Sequence, residues 1–192
     1  RLQNGNLTII NKPFQEVIFE NILCKSSNNK VISNTPYSIS TLMIQKLVPL
    51  NDYIDSIFFM VQKEVAQRCV ASKKTKDYSS FTLYTNFFSD PKILFDIPKS
   101  CFFPSPNIMS SAIEFKLKSN PLTPDYELLL NFIRLCFTKR RKMLKTTLKN
   151  FWSSDIIENA LEVSNIHINA RPEELSLVDF FTLQDQLRAA KA

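Results

Sequence analysis

The chain has 192 residues, 44% of them hydrophobic and 22% charged, a balance that gives a globular protein its own core and excludes a disordered chain. Its formal net charge of +6 suits an acidic partner such as nucleic acid, and no apolar run reaches the ~20 residues that span a bilayer. Four cysteines (Cys24, Cys69, Cys101 and Cys136) stand far apart without a CxxC pair; they read as small buried hydrophobes in a reducing, cytoplasmic setting, and no metal is expected.

Arg1 opens the sequence without a methionine or signal-like stretch, so the numbered chain is expected to be a fragment, or the ordered part, of something longer. A single glycine, Gly5, leaves no Gly-rich phosphate loop. Either the fold is not a dinucleotide-type one or that turn lies before Arg1.

In chain order, Leu7–Ile10 is a short β-favouring run closed by Asn11-Lys12-Pro13. Val31–Ser33 reads as a buried strand ending in Asn34-Thr35-Pro36-Tyr37, and a helix follows to Leu47. Ser56–Val61 is continuously apolar, as in a strand covered on both faces. Helices are predicted over Gln62–Ala71 and Ser80–Phe88, and strands over Lys92–Ile97 and Ser110–Leu117. The last two strands leave no room for a crossover helix, which predicts an antiparallel ending to an otherwise parallel sheet. Asn120-Pro121-Leu122-Thr123-Pro124 marks a domain boundary. Beyond it come helices over Asp125–Phe137 (with Leu128 and Leu129 on its apolar stripe), Arg140–Phe151, Ser154–Val163 and Ser176–Leu187, the last capped by Ser176 with Asp179. The expected architecture is an α/β sheet domain over 1–119 and an all-helical domain over 120–192.

The Asn34–Tyr37 tetrapeptide carries the chemistry. In an open α/β sheet, ligands bind outside the carboxyl ends of the strands. There, the Asn34 side-chain oxygen and the Pro36 carbonyl can accept hydrogen bonds from an exocyclic amine. Pro36 fixes its own φ and donates no N–H, and Tyr37 offers a stacking face worth ~1–3 kcal/mol per base. For methyl transfer to adenine N6, two acceptors would push the conjugated nitrogen toward sp3 character and aim its lone pair, so that catalysis is positioning and electrostatics. The plainer alternative is a proline turn with Asn34 bonded to local backbone.

Around this tetrapeptide, six blocks occur in one order: Val31–Thr41, Gln62–Arg68 with Val70-Ala71, Lys76-Asp77-Tyr78, Phe102–Ile108, Phe137 with Arg140-Arg141-Lys142, and Arg171–Ser176. Together they resemble the small-subunit ribosomal RNA adenine N6,N6-dimethyltransferases (the KsgA/RsmA family). The resemblance implies a Rossmann-like class I methyltransferase sheet, incomplete at its N-terminus, followed by a small helical C-terminal domain. It implies S-adenosylmethionine as methyl donor, immature small ribosomal subunits as partner, a monomer, and Asn34, Pro36 and Tyr37 on the target base. Phe102 would stack on the flipped adenine from the other side, and Asn34 would also touch the cofactor. Thr35 replaces the family's Leu, and Ser79-Ser80 its Gly-Arg. Pro13 stands where the family has a cofactor-binding Asp, leaving backbone near Phe14 as the substitute contact. The family's glycine-rich loop and ribose-binding acid have no counterpart, so the chain as numbered is expected to bind the cofactor weakly or not at all. A large-subunit rRNA methyltransferase and a non-catalytic RNA-binding assembly factor of the same fold stay open as alternatives.

From Arg134 through Lys149 there are seven basic residues and no acidic one. Within this run Arg140, Arg141, Lys142, Lys145 and Lys149 are candidate RNA contacts, and Arg141, Lys145 and Lys149 would share a helical face. Arg68, Lys73, Lys74 and Lys76 form a second candidate cluster. The lone His167 is assigned a structural role.

Overall fold

A strand keeps its shape only when a neighbour pairs its edge, and the sheet shows which β-favouring runs find one. The computed structural model describes residues 7–25, 28–118 and 125–190. Its four strands are β1 (Lys30–Asn34), β2 (Ser56–Gln62), β3 (Ser89–Ile97) and β4 (Ser110–Leu117), in the order β1-β2-β4-β3. β1 and β2 run parallel, with Asn34 opposite Met60, and the connection between them contains helix α1 (Ser40–Leu47). β4 lies antiparallel between β2 and β3, so the expected antiparallel ending is present. Pro91 is accommodated because β3 is an edge strand.

Helices α2 (Lys63–Cys69) and α3 (Ser80–Phe88) complete the sheet unit. Together with α1 they bury one face of the sheet, where Ile57, Phe59, Val61, Ile113 and Phe115 are at most 2% exposed.

Three expectations fail here, for one reason. Leu7–Ile10 forms no strand, and Ile9 is 82% exposed. β1 is not buried, since Ile32 is 79% exposed. β2 is not covered on both faces, because Phe58 and Met60 line an open trough of about 360 Å³ with Ile32, Leu94 and Phe95. Among the described residues nothing pairs with Leu7–Ile10 or covers that second face, and β-propensity without a partner does not make a strand.

The helical part consists of α4 (Tyr126–Phe137), α5 (Leu144–Leu148), α6 (Ser154–Val163) and α7 (Leu177–Ala189). On α4, Leu129, Leu130, Phe132, Ile133 and Cys136 face the core, whereas Leu128 points outward. The helix expected from Arg140 shrinks to α5. Met143 is extended at φ −60°, ψ 146°, and the Leu144 N–H donates to Ala170 O at 2.9 Å, so a tertiary bond replaces the helical one. At the end of α6, Asn165 takes a left-handed φ of 54°. There Ile166 N donates to Leu161 O and Asn165 N to Glu162 O, the double closure usually given to glycine. Ser176 caps α7 as expected, exchanging bonds of 3.2 and 2.7 Å with Asp179.

Of the cysteines, Cys69 and Cys136 are buried, and burial pushes both thiols up to about 12. Cys24 and Cys101 are exposed, so the expectation of four buried thiols holds for two. The boundary expected at 120–124 lies outside the described residues.

Candidate active site

The chain leaves β1 at Asn34 and is at once fixed to its neighbour. Thr35 N donates to Met60 O at 3.2 Å, the Thr35 hydroxyl donates to the same carbonyl, and Thr35 is 2% exposed. This anchor turns Asn34 and Pro36, on either side of it, outward; both are exposed. The Asn34 amide makes no hydrogen bond to another described residue, in contrast to the local-backbone alternative. Pro36 O accepts from Ile39 N at 3.1 Å, which uses one of its two lone pairs. The Ser40 hydroxyl donates to Tyr37 O at 3.1 Å, leading the turn into α1.

Tyr37 is half-buried, and its hydroxyl lies 2.6 Å from the Ser110 Oγ at the start of β4. That bond ties the tip to the base of the proline-rich loop 98–109. The loop is braced inside by Ser105 Oγ to Lys99 O at 3.1 Å and by Lys99 Nζ to Asn107 O. At its root Lys63 N donates to Met109 O at 3.0 Å, and Lys63 Nζ and Ser111 Oγ both donate to the Asp96 carboxylate, at 2.6 and 2.7 Å. The Lys63 and Ser111 hydrogen bonds hold the Asp96 carboxyl below its ordinary value. Phe102 on this loop is half-buried, and among the described residues its ring does not pack on Tyr37. The fully exposed aromatic is its neighbour Phe103, a position the sequence had not singled out.

Pro13 and Phe14 sit elsewhere. Pro13 opens a short 3-10 turn, Phe14–Glu16. The Phe14 ring packs on Phe19 with centroids 5.4 Å apart, and Lys46 of α1 lies 5.8 Å from both rings and donates to Gln15 O. No hydrogen bond or ring contact among the described residues joins this turn to Asn34 or Tyr37.

A family model described as "Ribosomal RNA adenine dimethylase" matches residues 1–188. The chain belongs to that family. Within it, the chain is 38% identical over 162 residues to "Ribosomal RNA small subunit methyltransferase A" of Protochlamydia amoebophila, covering 84% of the chain and 57% of that relative. The chain thus spans little more than half the relative's length. Its fold is similar to that of a dimethyladenosine transferase from Plasmodium falciparum, with a TM-score of 0.70 at 21% identity over 85% of this chain and 68% of that one. It is also similar to the 23S rRNA methyltransferase ErmE, with a TM-score of 0.62 at 20% identity, covering 83% and 65%. These likenesses give the chain a Rossmann-like fold of the methyltransferase kind.

Three of the dimethylase blocks meet at one seam between the sheet unit and the helical part. The Tyr78 hydroxyl of the Lys-Asp-Tyr block donates to Leu175 O at 2.7 Å, and its ring packs on Phe137 at 6.3 Å. Arg140, of the Arg-Arg-Lys block, donates to Lys76 O and Thr75 O at 2.6 and 2.8 Å. Lys74 N donates to Glu173 O at 2.8 Å. Arg140 is therefore half-buried and engaged by main-chain carbonyls, whereas Arg141, Lys142 and Lys149 are exposed and Lys145 half-buried, with no ion pair to a described residue. Because α5 is short, Arg141, Lys145 and Lys149 do not share one helical face. In the second cluster, Lys73 lies 4.0 Å from Asp179, the Arg68 guanidinium sits 5.4 Å over the Phe81 ring, and Lys74 and Lys76 point to solvent. His167 is exposed in a turn, its Nδ1 accepting from Asn169 N at 3.2 Å.

Proposed function

We propose that the protein containing this chain transfers methyl groups to N6 of adenosines in small-subunit ribosomal RNA, converting them to N6,N6-dimethyladenosine during ribosome assembly. The observation that carries this reading is the open tip at Asn34–Tyr37. It stands at the carboxyl end of β1, with its Asn amide exposed and its Tyr ring pinned to Ser110. Residues 1–119 supply the catalytic sheet in this reading, and residues 120–192 a helical RNA-binding domain.

S-adenosylmethionine supplies the electrophilic methyl group when bound. The residues present fit the acceptor side of such a site: the Asn34 oxygen and the second lone pair of Pro36 O take the two N6 hydrogens, and the Tyr37 face supports the ring. Holding both N–H groups turns the nitrogen lone pair out of conjugation and toward the donor. Phe102, on the loop rooted beside Tyr37, closes over the extruded base. On the donor side the chain offers Asn34 and the turn at Pro13 and Phe14. Arg68, Lys73, Lys74, Lys76, Arg141, Lys142, Lys145 and Lys149 contact phosphates, giving affinity while RNA shape gives register. The protein acts as a monomer in the cytoplasm.

The test is to incubate the full-length protein with labelled S-adenosylmethionine and immature small subunits, then map dimethyladenosine. Label in small-subunit RNA is expected. Salt-sensitive RNA binding without label would replace this reading with a non-catalytic assembly factor, and label confined to large-subunit RNA would move the substrate.

A further inference from the structure

Arg140 sits in the most basic stretch of the chain, yet its guanidinium is turned onto the neighbouring loop. Its two terminal nitrogens donate to the successive carbonyls of Lys76 and Thr75, and its Nε lies 4.0 Å from the Glu173 carboxylate. Glu173 also accepts the Lys74 N–H through its main-chain carbonyl. Loop 72–78 is thus held from two sides by the helical part. Its Lys74 is kept at a left-handed φ of 67°, a conformation that a non-glycine residue holds only when its surroundings support it. The loop carries Lys73, Lys74 and Lys76, and Arg141 and Lys142 follow Arg140 directly.

We infer that Arg140 is a positioning residue for RNA: it touches no phosphate and instead locks the lysine loop of the sheet unit beside Arg141 and Lys142, so that the two clusters act as one surface. This rests on the RNA-binding reading above. Only a planar fork can reach two consecutive carbonyls and face a carboxylate at once, so a lysine with the same charge does not substitute.

The experiment compares Arg140→Lys with Arg141→Lys and Arg141→Gln. Affinity for a labelled small-subunit rRNA fragment is measured across a potassium chloride series, and amide hydrogen exchange without RNA. A phosphate contact tolerates Arg→Lys, and its loss lowers the slope of log K against log salt by about 0.9. Arg141→Lys is expected to bind almost normally and Arg141→Gln to lose about one contact. Arg140→Lys, with no charge removed, is expected to lose more than one contact's slope, toward the roughly 2–3 of the three loop lysines. It should also speed exchange of the Lys74 amide, which neither Arg141 variant does.

Combining Arg140→Lys with Lys73→Gln, Lys74→Gln and Lys76→Gln should add almost nothing to the loss. Normal RNA binding by Arg140→Lys, full additivity with the loop variant, or unchanged Lys74 exchange would each overturn the inference. If the unsubstituted chain binds no RNA at all, the proposed function falls with this role, whatever the exchange result.

Discussion

Replacing Tyr78 with phenylalanine tests the seam with a single atom. The hydroxyl is lost from a residue 5% exposed, and with it a 2.7 Å bond to Leu175 O. The ring and its packing on Phe137 stay. A buried hydrogen bond contributes about 1 kcal/mol, and a carbonyl left unsatisfied costs about 1–3 kcal/mol, so Tyr78→Phe should destabilise the fold by roughly 1–3 kcal/mol at neutral pH. The deficit has a pH signature. Burial, with the Asp179 charge second, pushes the Tyr78 hydroxyl up from 10.0 to about 12. A folded-state value above the unfolded one means that the stabilisation is complete below pH 10 and is lost as pH rises toward 12. By pH 11 the native chain should have lost on the order of 1 kcal/mol of its advantage over Tyr78→Phe. Tyr84, Cys69 and Cys136, which also titrate near 12, are common to both chains and cancel in the difference. Urea unfolding at pH 7, 9 and 11, followed by far-ultraviolet circular dichroism, measures it. A deficit that stays constant between pH 7 and 11 would refute the assignment of that hydroxyl to the seam.

Asn34→Ala in the full-length protein should abolish methyl transfer and leave RNA affinity within about twofold, since the exposed amide supports no fold contact; equal loss of both would contradict its role on the target amine. Arg141→Glu with Lys145→Glu should weaken RNA binding and flatten its salt dependence, read by filter binding across a salt series. Ser176→Ala removes the acceptor for Asp179 N and should cost about 1 kcal/mol, measured by thermal unfolding. Lys74→Gly should remove about 1 kcal/mol of left-handed strain while costing one phosphate contact, so unfolding and RNA titrations should move in opposite directions.

Most elements were readable because periodicity reported real burial. Ser80–Phe88, Ser110–Leu117 and Ser154–Val163 appear where their patterns placed them. The failures concern partners. Leu7–Ile10 and Val31–Ser33 have strand composition, yet strand formation and burial depend on what lies alongside, which no local pattern contains. Arg140–Phe151 looked helical because its residues favour helix; the bond from Leu144 N to Ala170 O is a long-range fact. The tip was legible as Asn-x-Pro-Tyr, but the Tyr37–Ser110 bond and the turn of Arg140 onto the neighbouring loop were not, since spacing alone cannot tell a solvated cation from one that grips a neighbouring carbonyl.

The hydrogen bonds of the seam all end on main-chain carbonyls: Arg140 on those of residues 75 and 76, Tyr78 on that of residue 175, and the main-chain amide of residue 74 on that of residue 173. Such a joint does not read the identities of the residues it clasps. Lys74 and Lys76, whose side chains point to solvent, can therefore be replaced, or even reversed in charge, without breaking these bonds, whereas Lys73 also faces Asp179. The charge this surface presents can be rewritten without loosening the joint beneath it.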